Sequence, residues 1–254
     1  MSVTALSLFA IEGIPLISDG DDVGAIIAQA LSLPDQKPQD GDVLVLAQKI
    51  VSKAEGRAVH LDTVEPSPEA HELAAEVDKD PRVIELILAE SRQVIRKKPG
   101  VIIVEHRLGY VLANAGIDRS NVQSDKDWVL LLPIDPDGSA ERIRQSLQKH
   151  FRIDIGVIIA DSVGRAWRLG TTGMALGSAG VVALDNLRGQ PDLFGRELEV
   201  SEHAIGDAVA AAAELLMGEA AEAAPAVIVR GLGAGHSEQS AAELLRPADE
   251  DLFR

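Results

Sequence analysis

The sequence predicts an α+β fold, and three observations carry that prediction. Aliphatic runs that read as buried strands recur at 42–47, 100–104, 128–132, 155–160 and 226–230. Between them lie segments whose apolar residues return at helical spacing. Proline twice follows an N-capping residue, at Ser67-Pro68 and Asp80-Pro81, which marks two helix starts.

Taken in order, Asp21 and Asp22 precede Val23, Ile26, Ile27, Ala30 and Leu31, an amphipathic helix with acidic residues at its positive end. Asp42-Val43-Leu44-Val45-Leu46-Ala47 is the first buried strand, and a helical start after it sets Lys49 and Lys53 one turn apart on one side. The Ser67 and Asp80 caps predict helices over 68–78 and 81–91. Ser139 is the expected cap of a further helix that carries Ile143 and Leu147 inward. The Ala-rich run from His203 to Met217 predicts a helix, with Glu219 just beyond its C-terminal end. No internal repeat is visible.

Composition bounds the function. At 254 residues and 46% hydrophobic content, the chain can bury a substantial core in one or two domains. It has no cysteine, so disulfides and thiolate metal sites are excluded and any cation must be held by oxygen or imidazole. The net charge of -16 argues against nucleic acid and anionic membrane as partners, since both need a positive footprint. No stretch approaches the roughly 20 apolar residues of a membrane span, and the first nine residues lack a basic, apolar leader, so a cytoplasmic location is expected.

Three segments carry candidate chemistry. After the apolar run Ile155–Ala160 the chain reads Asp161-Ser162-Val163-Gly164-Arg165-Ala166-Trp167-Arg168-Leu169-Gly170. Asp161 and Ser162 are expected to emerge together at the strand's end, where α/β sheets place their chemistry. A carboxylate beside a hydroxyl suits magnesium or manganese that also touches phosphate, and Arg165 and Arg168 can receive anionic oxygens. On its own the pattern fits an ordinary Asp-Ser turn with solvated arginines equally well.

In the second segment, Asp118 and Asn121 stand three apart in a turn-rich stretch, so both can face one ligand; an Asx turn explains the same spacing. In the third, Lys49 and Lys53 can hold phosphate or form a solvated basic face. The Gly-rich runs at 177–181 and 231–235 match neither a Walker A loop nor a dinucleotide fingerprint, and close backbone packing or a turn is expected of both. The six histidines show no paired metal spacing, and there is no Gly-x-Ser-x-Gly elbow.

As a set the segments become recognisable. Glu12-Gly13-Ile14-Pro15-Leu16-Ile17, Ser52-Lys53-Ala54-Glu55-Gly56-Arg57, Asn114-Ala115-Gly116-Ile117-Asp118 with Ser120-Asn121, Leu132-Pro133 with Asp135-Pro136-Asp137-Gly138, and Asp161-Ser162 with Gly164-Arg165 occur in that order. Leu193-Phe194-Gly195-Arg196, Met217-Gly218-Glu219 and Pro225-Ala226-Val227-Ile228-Val229-Arg230-Gly231 follow. This series resembles the coenzyme F420-0:L-glutamate ligase family over nearly the whole chain.

The resemblance implies a mixed-sheet ligase fold in two intimately connected lobes, with a catalytic unit over 1–240 and a tail over 241–254. It implies GTP-dependent addition of L-glutamate to coenzyme F420-0 and extension by γ-linkage, through an acyl phosphate. It places nucleotide contacts on Ile14, Pro15, Leu16, Ile17, Gln48, Lys49, Lys53 and Asn121. Asp118 and Asp161 would hold one divalent cation, magnesium or manganese, and Ser162 with Glu219 a second; potassium is a further candidate ion. It assigns no side chain to proton transfer.

A homodimer is also implied, which would bury the apolar residues around 171–187. The tail resembles the linker after which some bacterial relatives continue into a flavin-binding domain, and flavin-dependent activity is not expected of this chain. Two other classes compete, a nucleotide-binding regulatory module without turnover and an acidic scaffold, and the second leaves the carboxylates at the strand ends unexplained.

Overall fold

A computed structural model describes residues 5–122, 126–234 and 236–252. Residues 1–4, Gly235 and 253–254, which enter the readings of the N-terminus, the second Gly-rich run and the tail, lie outside the described residues. In chain order the elements are β1 (Ser7–Ala10), α1 (Val23–Leu31), β2 (Val43–Ala47), α2 (Gln48–Ala54), β3 (Ala58–His60), α3 (Pro68–Val77) and α4 (Pro81–Ala89). Then come β4 (Ser91–Lys98), β5 (Val101–His106), β6 (Val111–Ala113), β7 (Trp128–Leu130), α5 (Pro136–Phe151), β8 (Gly156–Gly164) and β9 (Thr171–Ala179). The last are β10 (Leu184–Asn186), β11 (Glu202–Ala204), α6 (Ile205–Met217) and β12 (Ala226–Arg230).

The central sheet has the order β1-β12-β2-β8-β9 and is mixed, with only β2 and β8 parallel. Its middle strands are apolar over Val43–Ala47, Gly156–Ala160 and Ala226–Val229, where both faces are covered, the usual signature of a doubly buried strand. Leu44, Leu46, Val157 and Ile159 face α1 and α5, meeting Ile27, Leu31, Ile143 and Leu147. Val43, Val45, Ile158 and Val227 face α6, meeting Val209, Ala210 and Ala213. The small α6 residues let the helix lie close: a Cβ added at Gly173 of β9 would sit 2.5 Å from the Ala210 carbonyl oxygen.

A second core is built from α3, α4 and the three-stranded sheet β4-β5-β6, through Leu73, Val77, Ile84, Ile87, Ile102 and Val104. Tyr110, Leu112, Leu132 and Leu176 join it to the central sheet, and the Tyr110 hydroxyl donates to the Leu176 carbonyl. Glu90, buried at the end of α4, is the polar counterpart of that joint. Its Oε2 accepts from Arg57 (2.7 Å), Arg107 (3.0 Å) and His106 (3.3 Å), and Arg57 also donates to the Leu132 carbonyl. Burial, the largest influence, raises its pKa, but the hydrogen bonds from His106, Arg57 and Arg107 outweigh it and hold the carboxyl at about 2.

The Ser67 and Asp80 caps form as expected, each side chain accepting a backbone N–H of its helix, and Asp22 caps α1 in the same way. The fifth helix differs. It begins at Pro136 with Asp135 as its N-cap, which puts Ser139 inside the first turn, where its hydroxyl binds Glu55. Proline at the first helical position and a carboxylate before it outcompete a serine three residues on. Ile143 and Leu147 are buried as expected.

The sixth helix starts at Ile205 because His203 belongs to β11. In the apolar segment around 171–187, Ala175, Leu176, Val181 and Ala183 are buried within this one chain, while Met174, Val182 and Leu184 are half-buried.

Candidate functional site

One edge of the central sheet collects most of the expected site. Ala47, the last residue of β2, pairs with Ala160 of β8 and donates its N–H to the Pro225 carbonyl; Ile11, just past β1, donates to the Ala226 carbonyl. The start of α2, Asp161, the segment after β1 and the segment before β12 therefore meet at that edge. An open sheet leaves unpaired backbone and diverging loops where neighbouring strands end, which is why such edges hold ligands.

Asp161 is the first β8 residue beyond the parallel pairing, as expected, but the strand does not end there. It continues to Gly164 as an antiparallel ribbon with β9, pairing Asp161 with Met174 and Ser162 with Gly173. Successive strand residues point to opposite faces, so Asp161 and Ser162 serve different neighbours. Burial, and after it the charge of Asp118, pushes the Asp161 carboxyl up to about 7, against the pull of the Ser162 N–H, Lys49 and the Gln48 amide.

Asp118 sits in the turn-rich segment. Its backbone bridges to Leu130 in both directions, so β7 anchors it. Its Oδ1 accepts the Ser120 N–H at 2.6 Å, an Asx turn, and its Oδ2 receives the Lys49 ammonium at 2.7 Å, which also donates to Ser120 Oγ at 2.8 Å. Burial favours the neutral acid, but these bonds carry the Asp118 pKa below the ordinary carboxylate range. A carboxylate has about four lone-pair sites, so roughly two stay free for a cation.

Lys53 donates to the Asn121 carbonyl at 2.7 Å, and Asn121, held at φ 55°, donates its amide to the Ala220 carbonyl at 2.9 Å. Asp118 and Asn121 thus do not face one point: one side chain turns to Lys49, the other ties the segment to the loop before β12. Burial and the Lys49 charge lower the Lys53 pKa.

Glu219 follows α6 across Gly218, as expected. It accepts from Ser162 Oγ at 3.1 Å and from Thr171 Oγ1 at 2.7 Å. Glu214, five residues back on α6, is the second acid beside Glu219. Burial first, then Glu219, pushes Glu214 up to about 7, and Glu214 in turn lowers Glu219.

Thr171 and Glu214 escaped sequence reasoning. Thr171 reaches the site only through the Gly164–Thr171 pairing of the β8–β9 ribbon, and an acid in an Ala-rich helix looks like any solvated one. Among Ile14 to Ile17, Pro15 and Leu16 are exposed while Ile17 is in the core, so Ile17 can offer a ligand only its backbone. Arg165 and Arg168 stand exposed in the turn after β8.

Gln48 is 1% exposed, and its Oε1 accepts from Ser52 Oγ at 2.7 Å. Among the described residues its Nε2 has no hydrogen-bond acceptor. A buried donor left so costs about 1–3 kcal/mol unless a ligand state uses it.

The residues fit a divalent cation in chemistry: every donor is a hard oxygen, and the ammonium on Asp118 shows that this carboxylate holds positive charge. Among the described residues no three His, Cys, Asp or Glu side chains form a ready cage. Such a cation would rest on few protein oxygens and keep others for phosphate or water, as magnesium does.

Oxygen-rich and cationic groups at the edge of a mixed sheet make a candidate site with the chemistry to hold anionic ligands. The chain belongs to the F420-0:gamma-glutamyl ligase family, whose profile matches residues 13–231. It is 46% identical over 251 residues to the coenzyme F420:L-glutamate ligase of Methanothermobacter thermautotrophicus, covering 98% of this chain and 99% of that one. The enzyme of the same description from Methanopyrus kandleri is 44% identical over 256 residues, with 98% and 99% covered. That from Archaeoglobus fulgidus is 42% identical over 249 residues, with 98% and 96% covered. No helix among the described residues is long and apolar enough to cross a membrane.

Proposed function

We propose that this chain joins L-glutamate to coenzyme F420-0 and extends the product by γ-linkage, using GTP and divalent magnesium or manganese. The observation that carries the reading is the convergence of Lys49, Lys53, Asp118, Asp161, Ser162 and Glu219 at one sheet edge, in a chain of this family.

In the reaction a coenzyme carboxylate oxygen attacks the γ-phosphorus, the bond to the β-phosphate oxygen breaks and GDP leaves. The glutamate amine then attacks the acyl carbon, phosphate departs, and the amine proton passes to solvent. Divalent cations, when bound, offset the repulsion between carboxylate and triphosphate and align their oxygens. Asp118 with Asp161 would hold one, and Ser162 with Glu219 the other. Lys49 and Lys53 are placed to bind phosphate oxygens, and the backbone of Ile14 to Ile17, Gln48 and Asn121 to meet the nucleotide. Locally these cations oppose a chain charge of -16 that would otherwise repel every substrate.

Residues 1–240 would form the catalytic unit and 241–254 a tail. A homodimer is part of the proposal, its apolar area formed by the half-buried residues of 171–187 together with the exposed Trp167, Leu169, Leu193 and Phe194. Sedimentation at micromolar concentration reads it directly, and a fully active monomer refutes it. No observation favours a module without turnover. The test of the function is mass spectrometry of products after incubation with GTP, L-glutamate, F420-0 and either metal. Glutamylated coenzyme with matching GDP is expected; GDP release without glutamylated product would refute the ligase.

A further inference from the structure

Gln48 is a buried side chain that the reaction above does not use. It follows Ala47, and Ala47 pairs with Ala160 across parallel strands, so the next residues on each strand, Gln48 and Asp161, lie side by side at the sheet edge. The Ser52 hydroxyl, itself fully buried, donates to Gln48 Oε1 one turn along α2. The amide oxygen is thereby engaged, and a flipped amide would set an oxygen against the neighbouring carboxylate. In the observed orientation the Nε2–H group is left without an acceptor among the described residues.

We propose that Gln48 is a positioning residue: Ser52 locks its amide so that Nε2–H holds the Asp161 carboxylate in the orientation that receives a divalent cation. The inference rests on the metal reading proposed above and gives Gln48 a role separate from nucleotide contact. Groups that orient a metal ligand in this way change metal affinity about 10- to 100-fold when removed. An apolar replacement at Gln48 removes the unpaired donor but also the acceptor of the buried Ser52 hydroxyl, so a modest loss of stability accompanies it.

The experiment is a titration of the nucleotide-free protein with Mn2+ alone, followed by electron paramagnetic resonance, with thermal melting of each variant beside it. Gln48→Leu is expected to weaken Mn2+ about tenfold or more, with Ser52→Ala weakening it less, and both remaining folded at the temperature of the titration. Asp161→Asn is the reference that separates the two ideas. If Asp161→Asn weakens Mn2+ and Gln48→Leu does not, the positioning role is overturned and the metal reading stands. If Asp161→Asn leaves Mn2+ binding unchanged, or the wild type binds none at millimolar metal, the metal reading falls and this inference with it. A Gln48→Leu protein that melts early but binds Mn2+ normally would show a purely structural residue and overturn the proposal.

Discussion

Replacing Glu90 by glutamine probes the polar joint between the two cores, and its cost can be worked from the structure. The Glu90 carboxyl lies at about 2, below the ordinary 4.5, because three cationic or donating side chains converge on one oxygen. At about 1.4 kcal/mol for each pH unit between those values, ionised Glu90 contributes about 3 kcal/mol, a large share of a total of about 5–15. The folded pKa is the lower one, so this stability is present in full above about pH 5 and is lost as pH falls toward 2. By pH 3 about 2 kcal/mol of it is gone.

Glutamine keeps one acceptor but cannot ionise, and its own cost does not vary with pH. Urea unfolding of wild type and Glu90→Gln, read by circular dichroism at pH 7, 5, 4 and 3, should therefore show a gap of about 3 kcal/mol that narrows steadily below pH 5. A gap that is small at pH 7, or that stays constant down to pH 3, would refute the account of Glu90 as an ionised hub.

Asp118→Asn and Asp161→Asn should each abolish glutamylation while leaving the circular dichroism spectrum unchanged, since each keeps side-chain size and removes an ionised oxygen ligand; near-normal turnover in either would sink the shared-cation assignment. Lys53→Ala should weaken GTP binding about ten- to a hundredfold by calorimetry, the worth of a charge-assisted hydrogen bond of roughly 1.5–3 kcal/mol. Unchanged affinity would return Lys53 to the role it already plays on the Asn121 carbonyl. Gly173→Val should lower the melting temperature sharply, because its Cβ would press on the Ala210 backbone and drive α6 from the sheet; a stable variant would mean that α6 can move without cost.

Local chemistry determined much of this protein from the sequence alone. The caps at Ser67 and Asp80 depend on one side chain reaching a backbone N–H a few residues away, and both helices form where those residues place them. The apolar runs of β2, β8 and β12 declare themselves because strands covered on both faces need apolar residues throughout. Lys49 and Lys53 share a side because helical spacing puts them there. The ordered motifs point to the family that the comparisons show.

What the sequence left open depends on which distant segments touch. The continuation of β8 past Asp161 needs β9 as a partner, and Gly164 to Thr171 become strand ends only because that ribbon forms. Thr171 and Glu214 join Glu219 through strand register and helix placement, neither of which has a local signal. Ser139, inside the first turn of α5, finds its partner in Glu55, 84 residues away. Ala175 and Val181 are covered by α6 and the central sheet, and Leu176 by Tyr110, Leu112 and Leu132, all remote in sequence. Short-range hydrogen bonding and periodicity are written in neighbouring residues; register, packing partners and the electrostatics of a buried edge arise only when the folded chain brings remote residues together.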